Sequence, residues 1–414
     1  MLKRISLSLL IAFTVFIAGC SSDNGTPQEL NSKPVAGNDT LTVIENSVSG
    51  TGNQVTVSAN DNLGDDGGTS DNYSLLSNPS NGTVTEVSDG VFEYIPNTDF
   101  VGTDSFTYEI SDIDGDKSTG TVNVTVNEYI PTAEDFNNID PNFPSFVSID
   151  NTTPDGKKWT KVEALSDEFD TWDDSKWYNS FWNYGGTPVW MRSENSGVED
   201  GKFYIKATLR NHPTQWFQTA RVHSKMKISY PMYTECSMKT AHISAFNTFW
   251  MNNGDIDNRD EIDIVENNSN PTAECRDQST KPSNFPWTPW DFPTQMNSQY
   301  FIAENGNTIR HEDNYDTRLL LDTNPKKDKT WNEVYHTVGV WWIDDRNIQF
   351  YLDGEPAGKL TTGKAFTREL ELIWDLWTFE DCNIGGLPEK EDLNDDSINT
   401  MRVDWVRTWK LEDE

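Results

Sequence analysis

The sequence predicts an all-β protein made of two β-sandwiches, and three observations carry that reading. Short runs of alternating apolar and polar residues recur from Thr40 to Trp409, separated by Gly, Asn, Asp and Pro clusters. No long amphipathic helix stands out between them. At 414 residues the chain has room for two or three domains. A Pro-, Asn- and Asp-rich stretch from Tyr129 to about Asp155 separates a smaller part from a larger one.

The first segment is a leader. Met1-Leu2-Lys3-Arg4 and the apolar run Ile5 to Ile17 read as a secretory signal, too short to span a bilayer comfortably. The next residues, Ile17-Ala18-Gly19-Cys20-Ser21-Ser22, resemble a bacterial lipoprotein cleavage box. That resemblance implies a mature chain tethered by a lipid on Cys20, so that residues 1–19 are removed and 20–30 form a flexible tether.

Residues 31–128 form a small antiparallel sandwich. Its runs are Thr40-Leu41-Thr42-Val43-Ile44, Gly82-Thr83-Val84-Thr85, Val91-Phe92-Glu93-Tyr94 and Thr121 to Val126. Asp112-Ile113-Asp114-Gly115-Asp116 has calcium-ligand chemistry, but an Asp-Gly hairpin turn explains it more simply. Pro34-Val35-Ala36-Gly37-Asn38-Asp39 and Gly102-Thr103-Asp104-Ser105-Phe106-Thr107-Tyr108 resemble bacterial cadherin-like, immunoglobulin-like modules, which implies a spacer. Residues 129–155 read as a linker.

Residues 156–414 hold the remaining strands: Phe203 to Ala207, Tyr233 to Lys239, Val334 to Trp342, Ile348 to Leu352, Leu370 to Trp374 and Met401 to Trp409. The segment Leu165-Ser166-Asp167-Glu168-Phe169 and the C-terminal strand would pair within a sandwich of two large sheets. Pro271 to Phe301 is poor in strand signal and reads as a long, structured, functional loop. Cys236, Cys275 and Cys382 allow at most one disulfide among them, and their spacing matches no zinc pattern.

The chemistry is concentrated in Glu261-Ile262-Asp263-Ile264-Val265-Glu266. Alternation over its first four residues places Glu261 and Asp263 on one face of a strand. An unbroken strand would send Glu266 to the other face; one β-bulge between Asp263 and Glu266 brings all three carboxylates into line. Three adjacent like charges need a solvent-filled cleft. Two carboxyl groups with separated pKa values, one nucleophile and one proton donor, are what glycoside hydrolysis uses. The 16 Trp suit such a cleft, because a flat indole covers the apolar face of a sugar ring. Trp182, Trp190 and Trp250 are candidates for that role; Trp341, Trp405 and Trp409 read as core. A net charge of −35 argues against nucleic acid and against anionic membrane surfaces.

From about Trp159 to Trp409 the chain resembles glycoside hydrolase family 16. The six-residue acidic motif carries the likeness, with Leu165 to Phe169, Ser193 to Gly201, Phe249-Trp250-Met251, Asn383 to Pro388 and Asn399 to Arg407 as further landmarks. The last two look most like its agarases and porphyranases. The resemblance implies a concave jelly-roll sandwich. It also implies a retaining endo-hydrolase of β-1,4-linked red-algal galactan, agarose or porphyran, with Glu261 as nucleophile, Glu266 as acid/base and Asp263 tuning their charges. Arg276, on the loop after the motif, resembles a galactan contact. Asp404 is the side chain expected at a structural calcium, and catalysis needs no cofactor. Where agarases carry a histidine on the following strand, this chain has Met296-Asn297-Ser298-Gln299-Tyr300. The resulting expectation is a monomeric, exported lipoprotein of the outer membrane or cell surface of a marine bacterium, touching membrane only through its lipid. The alternatives are the same chemistry on carrageenan-type galactan or β-1,3-glucan, and a non-catalytic glycan-binding lipoprotein.

Overall fold

The computed structural model describes residues 31–150, 153–154, 156–182, 188–276 and 292–414. The leader, the tether and Cys20 therefore lie outside the described residues. The chain divides into two compact units, Met1–Tyr129 and Ile130–Glu414.

In the first unit, a four-stranded sheet has the order Asp39–Ile44, Lys117–Asn127, Gly102–Ser111, Tyr73–Ser77. It faces a three-stranded sheet of Gln54–Thr56, Val91–Pro96 and Gly82–Ser88. Alternate residues Val122, Val124 and Val126 point inward against Phe92, Tyr94, Phe106 and Tyr108. The expected all-antiparallel pairing fails at one edge, where Asp39–Ile44 runs parallel to Lys117–Asn127. Alternation reveals a strand but not its direction, so this pairing could not be read from sequence. Asp112 to Asp116 is the expected hairpin turn: one oxygen of Asp112 accepts from the backbone N–H groups of Asp114 and Asp116.

The second unit is two eight-stranded sheets packed face to face. One contains, in order, Ser196–Glu199, Lys202–Lys206, Thr400–Asp413, Met232–Lys239, His336–Trp342, Asn347–Leu352 and Glu355–Thr361, with Lys157–Lys161 on the far end of Thr400–Asp413. The other runs Asn307–Glu312, Gln295–Glu304, Arg259–Asn267, Phe246–Gly254, Glu371–Trp377, Arg221–Ser224, Trp177–Asn179, with Tyr315–Asp316 also paired to Gln295–Glu304. Between them lies the main core, in which Phe249 stacks on Trp374 at 4.9 Å and 11°. Asp167 and Val406 exchange both backbone hydrogen bonds, as the pairing of the outer segments required. The stretch from Pro271 to Phe301, read as a loop, ends in a strand: Gln295–Glu304 pairs with the acidic strand on one side and Asn307–Glu312 on the other. Its first half is polar because one face looks into a cleft, which hides the strand from hydrophobic patterning.

The stretch read as a linker is folded in part. Helices Ala133–Asn137 and Ser145–Asp150 belong to the second unit. Phe146 stacks on Tyr351 at 4.5 Å and on Trp341 at 5.7 Å, with Tyr233 and Trp159 edge-on. Glu235, fully buried beneath the helix, accepts hydrogen bonds from the backbone N–H and hydroxyl of Ser145 and from Tyr233. Burial pushes its carboxyl up to about 7. Helices of five and six residues fall below the length at which periodicity is legible. Trp341 and Trp409 belong to this outer aromatic cluster rather than to the core between the sheets, and Trp405 lies 4.0 Å beneath the Arg407 guanidinium.

Candidate active site

The acidic strand Arg259–Asn267 sits inside its sheet, with Phe246–Gly254 on one side and Gln295–Glu304 on the other. Ladder bonds on both sides hold it rigidly. Trp250 pairs with Asp263 and Phe249 with Val265, so Ile264 is a supernumerary residue. The pairing with Gln295–Glu304 also shifts between Asp263 and Glu266. This is the expected bulge. Ile262, Ile264 and Val265 are all buried in the core, and Glu261, Asp263 and Glu266 all line the opposite face.

The carboxylates have different neighbours. Arg259, two residues before Glu261 and on the same face, lies 3.0 Å from it (Nε to Oε2). Arg221, 1% exposed, is held by Asp375 at 2.6 Å, and Thr248 donates to the same Asp375. Burial raises the Glu261 carboxyl above its ordinary range, while Arg259 and then Arg221 pull it back. Arg259 also acts on Asp263 and Arg310 on Glu266, but there burial and like charges come first. Burial, then Glu261, then Glu266 hold Asp263 well above the carboxylate range. Burial, then the charges of Glu261 and Asp375, push Glu266 up to about 8, despite Arg310 and a hydrogen bond from Gln299. Of the three, Glu261 alone has a guanidinium at hydrogen-bond distance among the described residues, so a single negative charge is best accommodated there.

These groups floor a cleft of about 1020 Å³, at the upper end of small-molecule sites and suited to several sugar rings. Its walls are aromatic. Trp182 and Trp250 lie on one side, with the Arg221 guanidinium 4.4 Å and 5.4 Å from their rings. Phe301, beyond the acidic strand, has the guanidiniums of both Arg259 and Arg310 at 5.3 Å. Trp377 and Phe379 stack at 5.3 Å and 14°, and Asp381, Asn383 and Ile384 continue that wall. The wall is pinned from behind by a disulfide between Cys275 and Cys382. Cys236 is buried and unpaired. Gly385 and Gly386 have positive φ, 96° and 82°, and a Cβ on either would come within 2.3 Å of Asn268 or 2.9 Å of Cys275. Only glycine allows this close approach.

The structure thus brings Glu261, Asp263, Glu266, Trp182 and Trp250 together. Trp190 does not line the cleft; it lies between the guanidiniums of Arg192 and Arg210, at 4.0 and 4.5 Å. Arg276 also lies off the cleft, donating to Asn270 at 2.7 Å at the end of helix Ala273–Arg276. Residues 277–291, the rest of that loop, lie outside the described residues. Asp404 is on the other sheet, ion-paired with Lys202.

Sequence reasoning missed Arg221, Asp375, Trp377 and Phe379, which distant segments bring in and no spacing reveals. Arg259 was missed as well, although the two-residue step that places it on the face of Glu261 could have revealed it. Gln299 and Asn297 occupy the stretch that lacks the expected histidine, and both donate to Glu266 Oε2, at 2.8 and 3.4 Å.

A buried acid triad flooring an aromatic cleft on a two-sheet sandwich defines the class: a glycoside hydrolase of the jelly-roll type. Residues 159–411 match the family model described as Beta-porphyranase A-D, GH16 domain, and residues 31–125 match the bacterial Ig domain. The chain belongs to the GH16 porphyranase family, with an immunoglobulin-like domain preceding the catalytic one. It is 30% identical over 275 residues to Beta-porphyranase E of Zobellia galactanivorans, covering 62% of this chain and 90% of that one. It is 26% identical over 287 residues to Beta-agarase AgaB34 of Agarivorans albus, covering 62% and 57%. The crystal structure of porphyranase B from Zobellia galactanivorans superposes with a TM-score of 0.50 at 25% identity, over 64% of this chain and 97% of that one.

Proposed function

We propose that this enzyme is a retaining endo-hydrolase that cuts β-1,4-galactosidic linkages in porphyran or agarose. The observation that carries the reading is the asymmetry of the two glutamates: Glu261 faces Arg259 and Arg221, whereas Glu266 is held near pH 8 beside amides. In the first step Glu266 gives its proton to the glycosidic oxygen as the Glu261 carboxylate attacks the anomeric carbon. The bond to the leaving sugar breaks and a glycosyl ester forms on Glu261. Glu266, now a carboxylate, takes a proton from water as that water attacks the same carbon and releases Glu261. Asp263, protonated between them, limits the negative charge facing the substrate.

Porphyran is the first choice. Arg259 and Arg310 flank Phe301 in a cleft of an otherwise very acidic chain, a setting that suits an anionic galactan. Agarose is the second, on the strength of the agarase relative. The leader sequence supports export with a lipid on Cys20, and the immunoglobulin-like domain would then act as a spacer for a monomeric enzyme. Reducing-sugar release from porphyran, agarose, carrageenan and laminarin tests the substrate, with Glu261→Gln as control. We expect release from porphyran or agarose, and a loss of about 10³-fold or more in the variant. Absence of release from all four polymers, or full turnover by the variant, would refute the proposal.

A further inference from the structure

The strand beside the acidic one supplies two carboxamides to a single oxygen. Gln299, directly across the ladder from Asp263, donates its amide N–H to Oε2 of Glu266 at 2.8 Å. Asn297, directly across from Glu266, reaches the same oxygen at 3.4 Å. Across the ladder from Asp263, the Gln299 amide also draws that carboxyl downward against its burial. An amide N–H can only donate, so the oxygen that receives two of them must act as an acceptor. A proton on that oxygen would face two further hydrogens.

We propose that Gln299 is a positioning residue that selects which oxygen of Glu266 carries the catalytic proton: Oε2 is occupied by amide donors, so the proton resides on Oε1. This rests on Glu266 being the acid/base, as proposed above. The two amide bonds fix the rotation of the Glu266 carboxyl, so that the proton on Oε1 is presented in one orientation. The groups that face Glu266 are Glu261 and Asp263 on its own strand, Asp375 on Glu371–Trp377, Arg310 on Asn307–Glu312, and the two amides on Gln295–Glu304. Thr248, its partner on Phe246–Gly254, is neutral. Among these the Gln299 bond is the shortest hydrogen bond made to the Glu266 carboxyl among the described residues.

Gln299→Leu removes the donor and keeps most of the volume; Gln299→Met does the same with a flexible chain, should the leucine variant fold poorly. Because the bond stabilises the Glu266 anion, its loss raises the pKa of the acid. The alkaline limb of kcat/KM on porphyran or agarose, whichever the parent cuts, should move up by about one pH unit. At the optimum kcat should fall about tenfold with KM within about twofold, the signature of a group that acts in the transition state. A carbon-13 NMR titration of glutamate-labelled protein, with the Glu266 resonance assigned by Glu266→Gln, should show the same upward shift without any turnover. An unmoved limb and an unmoved resonance in a folded variant would overturn the proposal. If Glu266→Gln itself keeps full activity, the acid/base assignment fails instead, and the two failures are thereby distinguished.

Discussion

Truncating Phe146 to alanine tests whether the segment before the catalytic sandwich is part of it. Phe146 is 2% exposed and its ring contacts four others: Tyr351 and Trp341 stacked, Tyr233 and Trp159 edge-on. Phe→Ala at a buried site costs about 3 to 5 kcal/mol, the spread reflecting how far the surroundings collapse into the hole. A six-residue surface helix can settle inward, so the lower end, about 3 kcal/mol, is the working figure. For a unit of this size each kcal/mol lowers Tm by about 2 °C or a little more, which gives a drop of about 6 °C. Differential scanning calorimetry of the full chain reads it as a shift of the transition belonging to the second unit. The cleft lies on the other sheet, so kcat at 25 °C should match the parent. A shift below about 2 °C would show that the helix merely rests on the sheet, and that residues 130–150 are a linker after all.

The pH behaviour of the enzyme should follow Glu266. Activity requires its proton, so kcat/KM should fall on the alkaline side with a midpoint near 8; a midpoint near the ordinary glutamate value would contradict the site electrostatics. Stability follows with a defined sign. The folded-state value lies above the ordinary 4.5, so the contribution is fully present below 4.5 and lost as pH rises through about 8. Glu266→Gln, which cannot ionise, should therefore gain in Tm relative to the parent as pH is raised from 5 to 9, measured by thermal melts at each pH. Cys382→Ser should loosen the wall formed by Phe379 to Ile384: we expect KM to rise several-fold with kcat less affected, together with a lower Tm. Unchanged KM in that variant would mean that the wall holds its place without the disulfide.

Much of this enzyme could be read from its sequence because the reading rested on phase. The step from Asp263 to Glu266 is odd, and the alternating residues around it required a bulge, which the register of both neighbouring strands displays. The strands of the second unit announced themselves where one face met the core, as in Tyr233 to Lys239. Gln295–Glu304 did not, because its cleft-facing polar residues look like a loop to any hydrophobic pattern. The linker failed for the opposite reason: four apolar residues in two short helices are too few to show a period, yet one of them fills an aromatic cage. Trp190 and Arg276 show a further limit. An aromatic or basic residue near a motif in sequence need not face it, and only pairing and chain path decide that Trp190 sits between two arginines while Arg221, forty residues from the motif, lies against the substrate wall.

Ile264 makes the catalyst depend on chain length as well as residue type. Substitution can tune each carboxyl separately, but with Ile264 present the bulge must stay: unbroken pairing of the same residues would turn Glu266 into the hydrophobic core, whereas a strand lacking Ile264 would keep Glu266 on the cleft face with no bulge at all. The loops around the cleft absorb gains and losses of residues freely, while here a change in residue number must be matched by a change in pairing that keeps Glu261, Asp263 and Glu266 in phase. Divergence within this architecture is therefore free to reshape the walls that meet the polymer, and is held to a common phase along the strand that cuts it.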